Sequence, residues 1–572
     1  MSDPGQISPE FTTKTPEVGA AGPWVDIVFL GGLGEIGLNM MVFETAEDLV
    51  IVDAGIMFPE DYMLGIDMVI PDFTYLRSRR DKLRALILTH GHEDHIGAVP
   101  FLLKEMAVPV YGTAFTLELV KEKLKEHRLL DDADLRLITP RQDLALGPFG
   151  VEFIPVSHSI VDGVGLAVRT PVGTIVHSGD FKIDPTPAAG GPTDLNRFAA
   201  WGEKGVLALL SDSTNAERSG YTLSERDIGR TLDNLVRQAP GRVIVAVFAS
   251  HVPRLQQIVD LAAKYGRRIL FNGKSMLVNV ALARDLGFLQ IPAGQEVNVS
   301  ALKHLPDEEV VIVTTGSQGE PMSALARIAL DAHKHIRIKP GDLVILSSKF
   351  IPGNEKAIST VINNLYALGA EVVYQEVADI HVSGHASQEE LKLLFNLTRP
   401  RYFIPIHGEL RHLIKHGRLA RSLGMPEEGL LLAKNGDRVR FDAQGGRFAD
   451  RIGVGRVFVD GKGVGDVGRI VLRDRQRLGE DGLVIAVVAV DPQEKRLVSG
   501  PDLVSRGFAF EEDETGMLET AKEIILEILQ RGLSEPTQDW LEIQVQIGKA
   551  LRKHFFKLLE RRPMILPLIL TL

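Results

Sequence analysis

The chain has 572 residues, of which 45% are hydrophobic and 24% charged, the balance of a globular protein with room for about three domains. It contains no cysteine, which excludes a disulfide framework, a thiolate nucleophile and a thiolate metal site, so any metal must be held by His, Asp and Glu. The net charge of −11 weighs against a polyanionic ligand unless a basic groove is local or the carboxylates gather around metal ions.

Residues 1–23 are polar and rich in Pro and Gly, with no apolar targeting core, and read as a disordered arm. From Trp24 short apolar runs separated by glycine or acidic turns predict strands: VDIVFL, LNMMVFET, DLVIVD and ALILTH. HIGAVPFLLKEM predicts a helix leaving the fourth strand, and GVEFIPVSH, GLAVRT and GTIVHSGD continue the strands to about residue 180. This pattern defines a first domain over 24–219, resumed over 371–450 by RPRYFIPIHG. Between 220 and 370 helical segments such as SERDIGRTLDNLVRQA alternate with RVIVAVFAS, RRILFNG, EVVIVTTG and DLVILSS, the pattern of a parallel α/β unit. Residues 451–475 are Gly-rich and read as a linker, and 476–572 predict a small α+β domain. The closing apolar run 563–572 is about half the ~20 residues that cross a bilayer, so no membrane segment and a cytoplasmic location are expected.

The sharpest chemical signal is THGHEDHIG at 89–97, which gathers His90, His92, Asp94 and His95 at a strand end. An extended H-x-H places both imidazoles on one side, because side chains alternate along a strand, and the following Asp-His pair can address a second point nearby. Three of the chain's 16 histidines at this spacing beside an aspartate point to a metal site, and imidazole and carboxylate suit zinc and manganese alike. His158, Asp180 and His407 each follow a predicted strand, where a scaffold exposes ligands to a cleft. Taken singly, each reads more readily as an ordinary polar residue than as a ligand; taken with the first cluster, they complete a ligand shell.

HGHEDHIG resembles the metal motif of the metallo-β-lactamase superfamily, whose fold is an αβ/βα sandwich. SDSTN (211–215), HVSGHA (381–386) and PIHGE (405–409) look like the three further motifs of the β-CASP nucleases, and TTGSQGEPMSALARIA (314–329) looks like ribonuclease J. The resemblance covers nearly the whole chain from about residue 24. It implies an α/β sandwich with an inserted β-CASP domain and a C-terminal α+β domain. It also implies a 5′-to-3′ exoribonuclease with endonuclease activity in RNA maturation and decay, with single-stranded RNA as partner and a homodimer or tetramer built through the C-terminal domain. By the same resemblance His90, His92 and His158 would hold one divalent ion, Asp94, His95 and His407 a second, and Asp180 both, with Asp53 orienting the loop from behind. Two ions would activate water for in-line attack at phosphorus, leaving 5′-phosphate products. His385 would act as general acid, supported by Asp212. His381, Val382, Ser383 and Gly384 would contact the RNA phosphate, with Ser250, His251 and Val252 of FASHV (248–252) lining the nucleotide pocket. At 251 and 253 this chain has His and Pro where the family pattern has Asn and His.

Two other motifs fail on context. Gly32-Leu33-Gly34-Glu35-Ile36-Gly37 fits a dinucleotide fingerprint, but predicted strands follow at once and leave no room for the crossover helix. Gly273-Lys274-Ser275 lacks the upstream glycine spacing of a phosphate loop. The basic run Arg552, Lys553, Lys557, Arg561 and Arg562 reads as a solvated helix face before it reads as an RNA contact. The rival functions are a DNA-directed nuclease of the same superfamily and a non-catalytic RNA-binding scaffold. The first is disfavoured by the presence of His407 and the second by an intact ligand set.

Overall fold

A computed structural model describes residues 22–572 apart from 321, 349, 351–353, 376, 379, 509–510 and 535–538. The arm expected at 1–23 therefore lies, up to residue 21, outside the described residues, as does Pro321 of the TTGSQGEPM segment.

The first apolar runs become strands because both of their faces are covered. Among the described residues an eight-stranded sheet runs in the order Gly445–Phe448, Arg438–Asp442, Val25–Gly31, Met40–Glu44, Leu49–Val52, Leu83–Ile87, Val110–Gly112, Leu135–Leu137. A six-stranded sheet runs Tyr402–Ile406, Ala208–Asp212, Gly173–His177, Gly163–Thr170, Phe149–Val156, Asp143–Leu146. The inner faces share one core, with Ile27, Phe29, Val50 and Val52 of the first sheet against Phe153, Leu166, Leu210 and Ile404 of the second. Alternate residues of the second sheet, Ile154, Val176, Leu209 and Phe403, turn outward under helices that contribute Phe198, Trp201, Leu394 and Ala420. The outcome is the expected sandwich.

A five-stranded parallel sheet, Arg268–Asn272, Val310–Thr314, Val243–Ala246, Leu343–Leu346 and Glu371–Val373, forms the inserted domain. Its strands are apolar throughout because helices cover both faces: Val243, Val245 and Ile345 face one core and Ile244, Ala246 and Val344 the other. The chain leaves the sandwich after Ala208–Asp212 and returns as Tyr402–Ile406, which pairs parallel to it with Asp212 opposite Ile406.

Residues 58–69 and 457–572 form a separate compact unit. There Leu483–Asp491 pairs antiparallel with Arg496–Arg506 and parallel with Met564–Thr571. The helices Glu511–Ser534 and Trp540–Leu559 lay Ala521, Ile525, Leu529, Ile547 and Leu551 on Val484, Ala486, Val488 and Val490. The span 451–475 is more ordered than a linker. Arg456–Asp460 pairs with Gly463–Val464, and a helix, Arg469–Asp481, begins inside the span. Its Arg475 reaches Asp460 at 2.5 Å and the Leu64 carbonyl at 3.0 Å, contacts that the Gly-rich text gave no reason to expect. Among the described residues no helix is long and apolar enough to cross a membrane.

Candidate metal centre

The chemistry-bearing residues lie at the carboxyl ends of strands. Asp53 follows Leu49–Val52, His90 follows Leu83–Ile87, His158 follows Phe149–Val156, Asp180 follows Gly173–His177 and His407 follows Tyr402–Ile406. Asp53 and His407 adopt left-handed backbone (φ 61° and 53°), a conformation a non-glycine residue takes only when its surroundings hold it there. Asp53 is held by accepting from Thr89 N at 2.8 Å, from Thr89 Oγ1 at 2.9 Å and from His95 Nδ1 at 2.8 Å. The carboxylate thus grips the start and the end of the HGHEDH loop and leaves His95 Nε2 for an ion.

Two triads result. His92 Nδ1 lies 3.0 Å from His90 Nε2 and 3.2 Å from His158 Nε2. His407 Nε2 lies 3.3 Å from Asp94 Oδ2, and His95 Nε2 lies 3.6 Å from the same oxygen. Asp180 Oδ2 sits between the triads, 3.7 and 3.9 Å from His90 and His158 Nε2 and 3.3 and 3.4 Å from His95 and His407 Nε2. Only nitrogen and carboxylate oxygen converge here, a donor set that fits divalent ions taking N and O ligands.

The electrostatics divide the triads. Burial holds His90 and His158 well below the ordinary imidazole value and brings His92 down to about 4, so all three are neutral lone-pair donors near neutral pH. Burial also opposes charge on Asp180 and Asp94, but the imidazoles of His407 and His95 prevail and keep both carboxyls ionised. In return, and against their own burial, the Asp180 carboxylate and its neighbours raise His95 and His407 well above the usual range.

His385 joins this centre from the far side of the insertion. Its ring lies 4.8 Å from that of His158 and 5.4 Å from that of His407, and its Nδ1 is 2.8 Å from Asp212 Oδ2. Its side chain is 19% exposed while that of Asp212 is 1% exposed, so the imidazole is open to a substrate and its carboxylate is not. Burial works against ionised Asp212, yet the neighbouring His385 and His407 hold its carboxyl far below the usual range. Asp212 Oδ1 also accepts from Thr214 Oγ1 at 2.8 Å, and that hydroxyl meets His407 Nδ1 at 2.6 Å. One short strand end therefore orients both His407 and His385.

The HVSGH segment is divided by its surroundings. Ser383 Oγ accepts from Asn215 Nδ2 at 2.8 Å, and the Gly384 carbonyl accepts from His158 Nδ1 at 2.7 Å. His381 and Ser250 are half-buried. Val382 packs in the core of the inserted domain, so its side chain is not on the cleft. His251 and Val252 require a correction as pocket-lining side chains: they are 2% and 0% exposed. His251 caps the helix Val252–Lys264, its Nδ1 accepting from Arg254 N, and its Nε2 lies 3.4 Å from Glu225 Oε1, so capping and an internal carboxylate turn it inward.

Sequence reasoning passed over three supporting residues. Asn39 donates from Nδ2 to Asp94 O at 3.0 Å and Asp94 Oδ2 at 3.3 Å. Thr214 and Asn215 stand inside the quoted SDSTN segment, whose run of side-chain hydrogen bonders was the available signal. For Asn39 no local pattern pointed to the site.

Comparison with known proteins agrees along the chain. Residues 33–235 match the metallo-beta-lactamase superfamily and 240–365 the ribonuclease J beta-CASP domain. Residues 369–428 match the Zn-dependent metallo-hydrolase RNA specificity domain and 470–572 the ribonuclease J C-terminal domain. Ribonuclease J2 of Bacillus subtilis (strain 168) is 43% identical over 546 residues, covering 96% of this chain and 98% of that protein. Ribonuclease J of Thermus thermophilus is 44% identical over 555 residues, covering 96% and 95%. A crystal structure of a protein of unknown function from Enterococcus faecalis V583 superposes with a TM-score of 0.53 at 17% identity, over 73% of this chain and 100% of that one, a likeness of fold. With near-complete coverage at this identity and each domain matched in order, the chain belongs to the ribonuclease J family.

Proposed function

We propose that this protein is a metal-dependent ribonuclease that degrades single-stranded RNA from its 5′ end, with additional endonucleolytic cleavage, in the cytoplasm. The observation that carries the reading is one buried carboxylate oxygen, Asp180 Oδ2, set between two ligand triads with His385 beside both. His90, His92 and His158 would hold one ion and Asp94, His95 and His407 the other. Zinc is the first choice for this donor set and manganese the second. Bound divalent ions supply Lewis acidity and a water of lowered pKa.

The chain's own residues do the rest. Asp53 and Asn39 hold the ligand loop rigid, so the ligand atoms need no rearrangement. Asp212 fixes Nδ1 of His385 and leaves Nε2 as the atom that passes a proton to the departing 3′ oxygen. The phosphorus–O3′ bond breaks as water oxygen bonds to phosphorus, so the released 5′ nucleotide leaves with a 3′-hydroxyl and the attacked phosphate stays as the new 5′-phosphate of the remaining RNA. His381, Ser383 and the Gly384 backbone line the approach for the phosphate. The C-terminal domain would join protomers into a dimer or tetramer.

The test uses a 5′-labelled single-stranded RNA carrying a monophosphate or a triphosphate, with Mn²⁺ or Zn²⁺. The expected result is labelled mononucleotide from the monophosphate form, abolished by His90→Ala. Internal fragments alone would remove the exonuclease assignment, and an inert protein with either metal would remove the enzyme.

A further inference from the structure

The inserted domain is reached by one crossing of the chain near residue 222 and left by another near residue 385, and the general acid proposed above sits on the second. A single buried side chain joins both crossings to the metal-site strand end. Glu390, 0% exposed, lies in the first turn of the helix Gln388–Thr398. Its Oε1 accepts from Ile183 N at 2.7 Å, three residues beyond Asp180. Its Oε2 accepts from Thr222 N at 2.7 Å and from Ser387 N at 2.8 Å, two residues beyond His385. Thr222 closes the ring: its hydroxyl donates to the His385 carbonyl at 2.9 Å and meets Ser387 Oγ at 2.9 Å.

A glutamate in the first turn needs no more than the capping box to explain it. The capping box accounts for the bond to Ser387 N. It does not account for the bonds to Ile183 and Thr222, which belong to two other segments, nor for the complete burial of a carboxylate whose three bonds all go to backbone N–H groups. From these three bonds we infer that Glu390, with Thr222, is a positioning residue for His385: it sets the distance between the strand end that carries Asp180 and the loop that carries the proton donor. The inference rests on the reading of His385 as general acid.

The experiment exploits the leaving group. An RNA 3′ oxygen needs a proton as it departs, whereas p-nitrophenolate leaves without one, so a misplaced general acid slows the first substrate and spares the second. Glu390→Gln keeps the shape and the helix cap but offers one acceptor oxygen where the loop needs two. Thr222→Val keeps the volume and removes the hydroxyl, and serves should the first variant fail to fold. Each is compared with His385→Ala on RNA and on the p-nitrophenyl ester of a nucleoside 5′-phosphate, at saturating metal, with kcat and KM measured separately.

The expected result is a fall in kcat on RNA of roughly ten- to a hundred-fold, as for a misplacement of about 1 Å, with KM little changed. The defect on the p-nitrophenyl ester should be within about three-fold, and Glu390→Gln in the His385→Ala background should add no further loss. Equal losses on both substrates, or wild-type kcat on RNA, would overturn the positioning role. If His385→Ala itself slows both substrates equally, the general-acid reading fails, and that outcome is read from a variant that leaves Glu390 intact.

Discussion

Gly384 lies so close to His158 that a Cβ built on it would stand 2.7 Å from the ring atoms Cε1 and Nδ1 and 2.8 Å from Ser159 N. Contacts under about 3 Å force movement, and His158 is pinned by the Gly384 carbonyl that accepts from its Nδ1. Gly384→Ala should therefore displace a ligand, lowering affinity at the His90, His92 and His158 triad by roughly ten- to a hundred-fold, with loss of activity in step. Metal content after dialysis checks this, and an unchanged two-ion content would refute it. A second expectation concerns protons. The first triad is neutral before an ion arrives, whereas His95 and His407 are raised and must each give up a proton to coordinate. Binding at the second site should thus release more protons near neutral pH and weaken first on acidification. Calorimetry in buffers of different ionisation enthalpy measures the release, and equal proton counts for the two sites would contradict the division.

The element that holds most of the candidate ligands is the HGHEDH loop, and its shape is imposed from outside. A Cβ on Gly55 would stand 1.6 Å from the Asp94 carbonyl oxygen, so that backbone approach requires glycine. Ala54 N donates to His95 O at 2.8 Å, and Asp53 grips Thr89 and His95 as described. Asp53→Asn would turn one acceptor into an amide N–H facing other donors. Affinity for the ion at Asp94, His95 and His407 should drop by roughly ten- to a hundred-fold. The fold, held by the two sheets, should persist. Paired measurements of metal affinity and far-UV circular dichroism separate these outcomes; loss of the fold along with the metal would assign Asp53 a structural role instead.

At the scale of the sandwich and its insertion, a buried ionic network crosses the seam. Arg254 is 0% exposed; its Nη2 donates to Glu225 Oε2 at 2.8 Å and its Nη1 to the Ile380 carbonyl at 2.7 Å, while Lys182 Nζ lies 3.4 Å from Glu225 Oε1. Burial opposes charge on Glu225, but Arg254, His251 and Lys182 keep it ionised. Removing one partner of such a pair leaves an uncompensated buried charge, so Arg254→Met should destabilise the protein by about 3–5 kcal/mol. Glu225→Gln in the same chain should recover part of that loss. Denaturant unfolding followed by a probe in this unit measures both, and strict additivity of the two substitutions would show that the pair is not coupled.

Much of this protein is written locally. The period-two runs and their turn residues specify strands, the helix–strand alternation over 220–370 specifies a parallel insertion, and THGHEDHIG places His90, His92, Asp94 and His95 within six residues. Residue type also carries His158, Asp180 and His407 as candidates, since each follows a predicted strand, whereas Asp212 and His385 are candidates through the resemblance of SDSTN and HVSGHA to family motifs. What the sequence could not decide is which of them meet. Asp212 and His407 are 195 positions apart and become neighbours only because Ala208–Asp212 and Tyr402–Ile406 pair in parallel across the whole insertion. The inward turn of His251, the grip of Asn39 on Asp94 and the bonds of Glu390 to three segments depend on the same long-range pairing. Local propensity acts over a few residues, whereas these contacts arise from packing between segments separated by tens to hundreds of positions, which leaves no periodic trace in the chain.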